Sequence, residues 1–163
     1  MWDSLAGEFT GGFSAVPWHL ALTRLLFAAA LAAAIGFERE AKGKAAGLRT
    51  HILVAVAACL FTIVGQELSQ LQFDSDDVKR VDPLRLIEAV TSGVAFLAAG
   101  LIFTAGGKVR NITTGASMWL AGAIGLACGA GQVMLGLMAT LIVVIVLHVM
   151  GRMQIEEADD TQA

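Results

Sequence analysis

Apolar residues in this sequence are gathered into five long stretches, separated by short polar or charged segments. Each stretch has about 20 residues, the length that an α-helix needs to cross the hydrocarbon core of a bilayer. The pattern therefore predicts an all-α integral membrane protein, a bundle of five transmembrane helices. The predicted spans are residues 18–37, 48–68, 84–105, 113–130 and 132–150.

The segments outside these spans complete the predicted organisation. Residues 1–17 precede the five-helix domain of residues 18–150, and residues 151–163 form a short acidic tail. Only Gly129-Ala130-Gly131 divides the last two stretches, which predicts a tight helical hairpin. A four-helix bundle is the alternative if these two stretches are wrongly separated.

Composition agrees with a membrane protein and excludes several other classes. Of the 163 residues, 56% are hydrophobic and 15% charged, whereas soluble domains have about 25% charged residues. The net charge of −3 gives no field that attracts nucleic acid. Cys59 and Cys128 lie inside apolar stretches and are expected to be small buried hydrophobes. No cysteine and histidine motif predicts a metal site, and no cofactor is expected.

Orientation follows from the distribution of lysine and arginine between the short loops. With five spans the two termini lie on opposite sides of the membrane. One side has Lys79 and Arg80, and the other has seven basic residues. We therefore predict an extracytoplasmic N-terminus and a cytoplasmic C-terminus. The seven residues of the predicted cytoplasmic side are Arg39, Lys42, Lys44, Arg49, Lys108, Arg110 and Arg152.

Two charged residues, Arg24 and Glu88, lie inside predicted spans at similar depths. A charge at this depth costs about 3 kcal/mol or more and usually faces protein or water. Three interpretations stay open: Arg24 extends to the interface while Glu88 pairs with Arg85, the two residues pair between helices, or they line an ion or proton pathway.

A compact polar segment, residues 38–51, joins the first two spans. It places the carboxylates of Glu38 and Glu40 beside four basic residues, with Gly43 and Gly47 allowing close turns. The segment is either a solvated loop or a site for an anion or a lipid headgroup. The neighbouring cations argue against Mg²⁺ there. His51 is expected to lie at the interface.

Small residues recur at helical spacing and predict close contacts between helices, or a surface for a second copy. Gly125 and Gly129 form a GxxxG pair. The other positions considered are Ala32 with Gly36, Ala121 with Gly125, Ala95 with Ala99, and Gly93 with Gly100.

Enzyme signatures are missing from the sequence. The phosphate-binding pattern fails because Gly107-Lys108 is followed by Val109, and no metalloprotease or serine-hydrolase motif occurs. We therefore predict no catalytic residues.

The polar segment and the motifs after it resemble the N-terminal membrane domain of the MgtC/SapB family, over about residues 20–150. The matching motifs are RLL at 24–26, IGFERE at 35–40, GKAAGLRTH at 43–51, DPLR at 82–85, SG at 92–93, FL at 96–97, AG at 99–100, VR at 109–110 and TT at 113–114.

The resemblance implies an inner-membrane protein, dimeric, linked to growth at low Mg²⁺, stress adaptation and virulence. It implies either a regulatory role, with the F-type ATP synthase as a partner, or Mg²⁺ or other ion transport. The implied functional polar residues, to which Glu88 is added for its depth, are Arg24, Glu38, Arg39, Glu40, Arg49, Thr50, Asp82, Arg85, Arg110, Thr113 and Thr114.

The sequence also departs from the family pattern. Ala89 stands where the family commonly has glutamine, Ala95 and Ala98 stand where it has glycine, and Asn111 replaces the glycine after Arg110. Fewer glycines in the third span leave less space for a pore. We also expect functions that rest on the family's soluble C-terminal domain not to apply.

Overall fold

The computed structural model describes residues 13–70 and 82–160, with side chains described as far as residue 149. This part of the chain forms five helices and a short two-stranded sheet. The elements are α1 (Trp18–Ala41), α2 (Leu48–Gln70), α3 (Pro83–Leu101), β1 (Phe103–Ala105), β2 (Lys108–Arg110), α4 (Ile112–Gly129) and α5 (Val133–Asp160).

Four of the helices, α1 to α4, are long and apolar enough to cross a membrane, and α5 is apolar over Val133–Val149. The all-α membrane fold is therefore confirmed. α4 and α5 are separate helices, joined by a tight turn at Gly131 with a φ of 80°. α5 continues to Asp160, ten residues beyond the predicted end of the fifth span.

The ends of the helices have clear local causes. α1 ends in a Schellman motif in which Gly43 has a φ of 61°, a conformation that glycine adopts without strain. The amides of Lys44 and Gly43 donate to the carbonyls of Arg39 and Glu40 at 3.0 and 2.9 Å. This motif turns the chain sharply into α2.

The structure corrects the end of the third span. We predicted a helix to residue 105, but α3 ends at Leu101 and the chain continues into an antiparallel hairpin. Gly106 and Gly107 form its two-residue turn with φ angles of 60° and 75°. Positive φ at both positions matches the twist of the two strands, which explains why a Gly-Gly pair forms a hairpin here.

The centre of the bundle is α4, which contacts each of the other four helices. Most of its buried residues are small, with Met118 and Ile124 as the exceptions, and the buried core around it contains many alanine residues and both cysteines. Large apolar side chains lie on the outside instead: Phe96 is 79% exposed and Leu53 69% exposed. This distribution fits a protein whose surroundings are lipid, where close packing depends on small residues.

The helices approach each other most closely at glycine residues. A Cβ on Gly125 would overlap the carbonyl oxygen of Ala55, and one on Gly129 would lie 2.7 Å from that of Cys59. Gly36 approaches α2 in the same way, at 2.7 Å from the Cα of Leu48. By contrast, a Cβ on Gly93 or Gly100 would meet no atom of the described chain within 4 Å. These last two glycines do not serve helix packing within that part of the chain.

Candidate functional site

The end of α1 carries a buried group of charged residues. The side chains of Glu38 and Arg39 are only 10% and 5% exposed, and the two groups approach to 3.5 Å. Lys42, one turn further on, forms an ion pair with Glu38 and donates a hydrogen bond of 2.9 Å to the carbonyl oxygen of Leu147 on α5. We call Glu38, Arg39 and Lys42 the charged cluster.

The charged cluster has hydrogen-bonding capacity that the described residues do not use. Glu38 Oε1 is paired with Lys42, but Glu38 Oε2 lies 3.5 Å from the Nη1 of Arg39, and the buried Nε of Arg39 makes no hydrogen bond within the described part of the chain. Most buried polar atoms in proteins do have such partners. The charged cluster is therefore the most chemically unusual place in the bundle.

Glu40 has a different use, although it is only two residues from Glu38. Its side chain accepts a hydrogen bond of 2.8 Å from the amide of Leu48, the first residue of α2. A carboxylate at this position also interacts favourably with the positive end of the helix dipole. Gly47 leaves the space, because a Cβ there would lie 2.7 Å from Glu40 Oε2. Glu40 thus fixes the start of α2.

His51 is fully buried where α2 meets α4. Its Nδ1 lies 2.8 Å from the carbonyl oxygen of Gly47 and must donate to it, because a carbonyl only accepts. Its Nε2 lies 3.1 Å from the hydroxyl of Ser117, which also lies 2.9 Å from the carbonyl oxygen of Thr114. When the imidazole is neutral, its Nε2 and the carbonyl oxygen of Thr114 are both acceptors for the single hydroxyl proton of Ser117. His51 is therefore a buried link between helices.

A second polar group lies near the opposite ends of α1 and α2. The guanidinium of Arg24 donates to the carbonyl oxygen of Gly129 at 2.8 Å and to Gln66 Oε1 at 3.2 Å. Gln66 donates to the same carbonyl at 3.0 Å. We call Arg24, Gln66 and Gly129 the Arg24 cluster.

The ion pair between Arg24 and Glu88 does not form. Arg24 points to the end of α4, where the carbonyl of Gly129 and the negative end of the helix dipole attract a cation. Gly131 leaves room for it, since a Cβ there would lie 2.9 Å from Arg24 Nη2. Glu88 is exposed on α3, and the ion pairs found among residues 13–70 and 82–149 all involve Glu38. Glu88 therefore has no ionic partner in this part of the chain.

The sequence is also similar to known proteins. The sequence model of the MgtC protein family matches residues 25–155. This range contains the charged cluster and most of the bundle. The chain belongs to the MgtC family.

Curated relatives of this MgtC-family chain come from several bacteria. An Escherichia coli (strain K12) protein named "Putative magnesium transporter YhiD" is 38% identical over 128 residues, which are 78% of this chain and 59% of the relative. "Protein MgtC" of Brucella abortus (strain 2308) is 39% identical over 112 residues, 69% of this chain and 43% of the relative. The chain thus spans about half the length of these relatives. No solved structure matches it significantly.

Family membership and the apolar spans together establish a multi-pass protein of the bacterial inner membrane. They also establish a family with magnesium-related members.

The structure separates the predicted functional residues of this family member by environment. Glu38, Arg39 and Thr114 are within the bundle, and Thr50 is half-buried. Asp82 caps α3, accepting from the amide of Leu84 at 2.9 Å. The exposed residues are Arg49, Arg85, Glu88, Arg110 and Thr113.

Three polar residues that connect helices were missed by sequence reasoning: Gln66, Glu67 and Ser117. The carboxylate of Glu67 accepts hydrogen bonds from the backbone amides of residues 14–16 at 2.9 to 3.2 Å, which ties the start of α1 to α2. The available signal was polarity, because each of the three lies in or at the end of an apolar stretch. Such a position predicts a partner inside the protein.

Between the charged cluster and the Arg24 cluster the bundle is filled with apolar residues. This layer is almost completely buried. Among the lysine, arginine, aspartate and glutamate side chains that the structure describes, only that of Arg39, in the charged cluster, belongs to an almost fully buried residue. Within the described residues, no group of three or more His, Cys, Asp or Glu side chains is arranged to hold a metal ion. The residues of the layer include Ala28, Ala32, Ile35, Ala55, Cys59, Ala121, Ile124 and Cys128.

Proposed function

We propose that this protein has a regulatory or interaction role in the inner membrane, in adaptation to Mg²⁺ limitation or stress and in virulence. In this role it conducts no ion and catalyses no reaction. Family membership supports the connection with magnesium. The apolar layer across the bundle supports regulation over transport.

The apolar layer is the observation that carries the proposal. An ion that moved through this bundle would have to leave the charged cluster and cross a region lined by alanine, isoleucine and cysteine. Side chains such as Ala28, Ile35 and Cys59 are 0% exposed, so the helices are in contact there. Moving a charge into such a region without polar partners is strongly unfavourable.

Transport of Mg²⁺ is the second candidate. It is favoured by the printed name of the YhiD relative and by the buried oxygens of Glu38. Magnesium sites usually combine one or two carboxylates with water. Here, however, the ion pair with Lys42 and the adjacent Arg39 oppose a divalent cation at Glu38.

Mg²⁺ flux into liposomes containing the purified protein distinguishes the two candidates. Three proteins are compared: wild type, Glu38→Gln, and Glu88→Gln as a control that removes an exposed charge of the same kind. We expect no flux above that of empty liposomes from any of them. Flux is followed with a Mg²⁺-sensitive dye inside the liposomes. A Mg²⁺ ionophore added at the end verifies that the liposomes are sealed and that the dye responds.

Saturable flux from wild type that falls in Glu38→Gln would overturn the regulatory proposal and place the path at the charged cluster. Folding is checked separately by thermal unfolding of the same samples, so that a lack of flux is not due to denatured protein.

A regulatory role requires a partner in the membrane. The proposed partners are a second copy of the chain and the F-type ATP synthase. Mild solubilisation followed by affinity purification should recover a complex larger than the monomer. Recovery of the monomer alone, from membranes of cells grown at low Mg²⁺, would contradict this part of the proposal.

A further inference from the structure

The hairpin between α3 and α4 places two basic side chains on one face. Its register pairs Phe103 with Arg110 and Ala105 with Lys108. Residues directly opposite each other in an antiparallel pair lie on the same face, and alternate residues along a strand share a face. Phe103, Lys108 and Arg110 therefore lie together. We call these three residues the hairpin face.

The hairpin face is open to the surroundings. Lys108 and Arg110 are both exposed, and Phe103 is 51% exposed. The sequence has no aspartate or glutamate between Glu88 and Glu156. Neither basic residue forms an ion pair with an acidic side chain of residues 13–70 or 82–149. The positive charge of the hairpin face is thus not neutralised within this part of the chain.

The position of the hairpin brings this charge to the membrane surface. It joins the end of α3 directly to the start of α4, and both helices are membrane spans. Its strands have only three residues each, so it cannot extend far from the bilayer. Basic residues beside a membrane are attracted to anionic lipids, and aromatic rings favour the headgroup level.

We infer that the hairpin face binds the headgroups of anionic phospholipids. Lys108 and Arg110 contact the phosphate groups, and the ring of Phe103 lies at the boundary between headgroups and acyl chains. This interaction would hold the α3–α4 connection at a fixed depth, and it is independent of whether the protein transports an ion.

Lipid binding by the purified full chain tests the inference. Native mass spectrometry measures the affinity for phosphatidylglycerol relative to phosphatidylethanolamine. The test variant is Lys108→Gln/Arg110→Gln. The matched control is Lys79→Gln/Arg80→Gln, which removes two neighbouring basic residues from the segment between α2 and α3. A further variant, Lys108→Arg/Arg110→Lys, keeps the charge of the hairpin.

We expect wild type to prefer phosphatidylglycerol and the test variant to lose about fivefold in this preference for each basic residue removed. The control and the charge-keeping variant should retain it. An equal loss in test and control variants would show an effect of net charge alone, and no preference in wild type would show no site; either result overturns the inference. The single variants Lys108→Gln and Arg110→Gln give the same comparison if the double variant does not fold.

Discussion

Arg24 shows how a single charged residue organises one end of this bundle. It extends from α1 and donates to the last carbonyl of α4, while Gln66 of α2 donates to the same oxygen. Three helices therefore meet at one backbone carbonyl. Because carbonyls at the end of a helix have no partner within the helix, a buried end needs donors of this kind.

Replacing Arg24 by glutamine should destabilise the protein. The shorter, neutral side chain does not reach Gly129, so a hydrogen bond from a charged donor is lost. Such bonds contribute about 1.5 to 3 kcal/mol. Arg24→Lys should lose less, because it keeps the charge near the helix end. Thermal unfolding in detergent measures both effects.

The control for this experiment is Arg85→Gln, which removes an exposed arginine from α3. Exposed substitutions usually change stability by no more than about 0.5 kcal/mol. Equal effects at positions 24 and 85 would show that the Arg24 cluster contributes nothing beyond net charge.

The positions of the polar residues could be read from the sequence, but the separate role of each could not. Residues 38–40 read as one charged run, and nothing in their order distinguishes Glu38 in a buried ion pair from Glu40 at the start of α2. The difference depends on what each side chain meets once the Schellman turn at Gly43 has brought α2 against the end of α1. It is set by tertiary packing, which the local sequence does not determine.

Among the elements, α4 is the helix against which the others pack. Its small residues let α2 approach until backbone atoms touch, as at Gly125 and Ala55. α3 packs differently: Val94 fits against Gly122, while Gly93 and Gly100 face away from the described chain. The glycines of the two helices should therefore respond differently to substitution.

Gly125→Ala should destabilise the bundle, because the added Cβ overlaps a backbone atom that has little freedom to move. Overpacking of this kind costs about 1 to 3 kcal/mol. Gly93→Ala is the matched control. It meets no atom of the described chain and should be neutral, or stabilising by up to about 1 kcal/mol from helix propensity.

Both glycine variants can be compared by thermal unfolding at low and high protein concentration. A large loss in Gly93→Ala at high concentration only would show that Gly93 lies in a contact between copies of the chain. Equal stability of the two variants at every concentration would contradict the packing described for α4.

The five helices were predictable because length and apolar composition are properties of each stretch alone. The hairpin was not predicted, since Ile102, Phe103 and Ala105 continue the apolar pattern of α3. Gly106 and Gly107 are typical of a turn, but the positive φ angles that make this turn a hairpin come from the structure.

For the whole molecule, the remaining question is which side of the membrane each end of the bundle faces. The charged cluster and the Arg24 cluster lie at opposite ends of α1, one near Ala41 and the other near Trp18. The sequence predicts that the end with the charged cluster is cytoplasmic, because the basic residues collect there. This orientation would also place the hairpin face at the inner leaflet.

Cysteine labelling tests the orientation directly. Cys59 and Cys128 are both 0% exposed and should not react in the folded protein, so the wild type serves as its own background. Single cysteines are introduced at Ser14, before α1, and at Lys44, in the α1–α2 connection, both of which are exposed. An impermeant maleimide added to intact spheroplasts should label Ser14→Cys and leave Lys44→Cys unlabelled. After the membrane is opened, both should react. The reverse pattern would place the N-terminus in the cytoplasm, and the charged cluster and the hairpin face would then meet the extracytoplasmic surface.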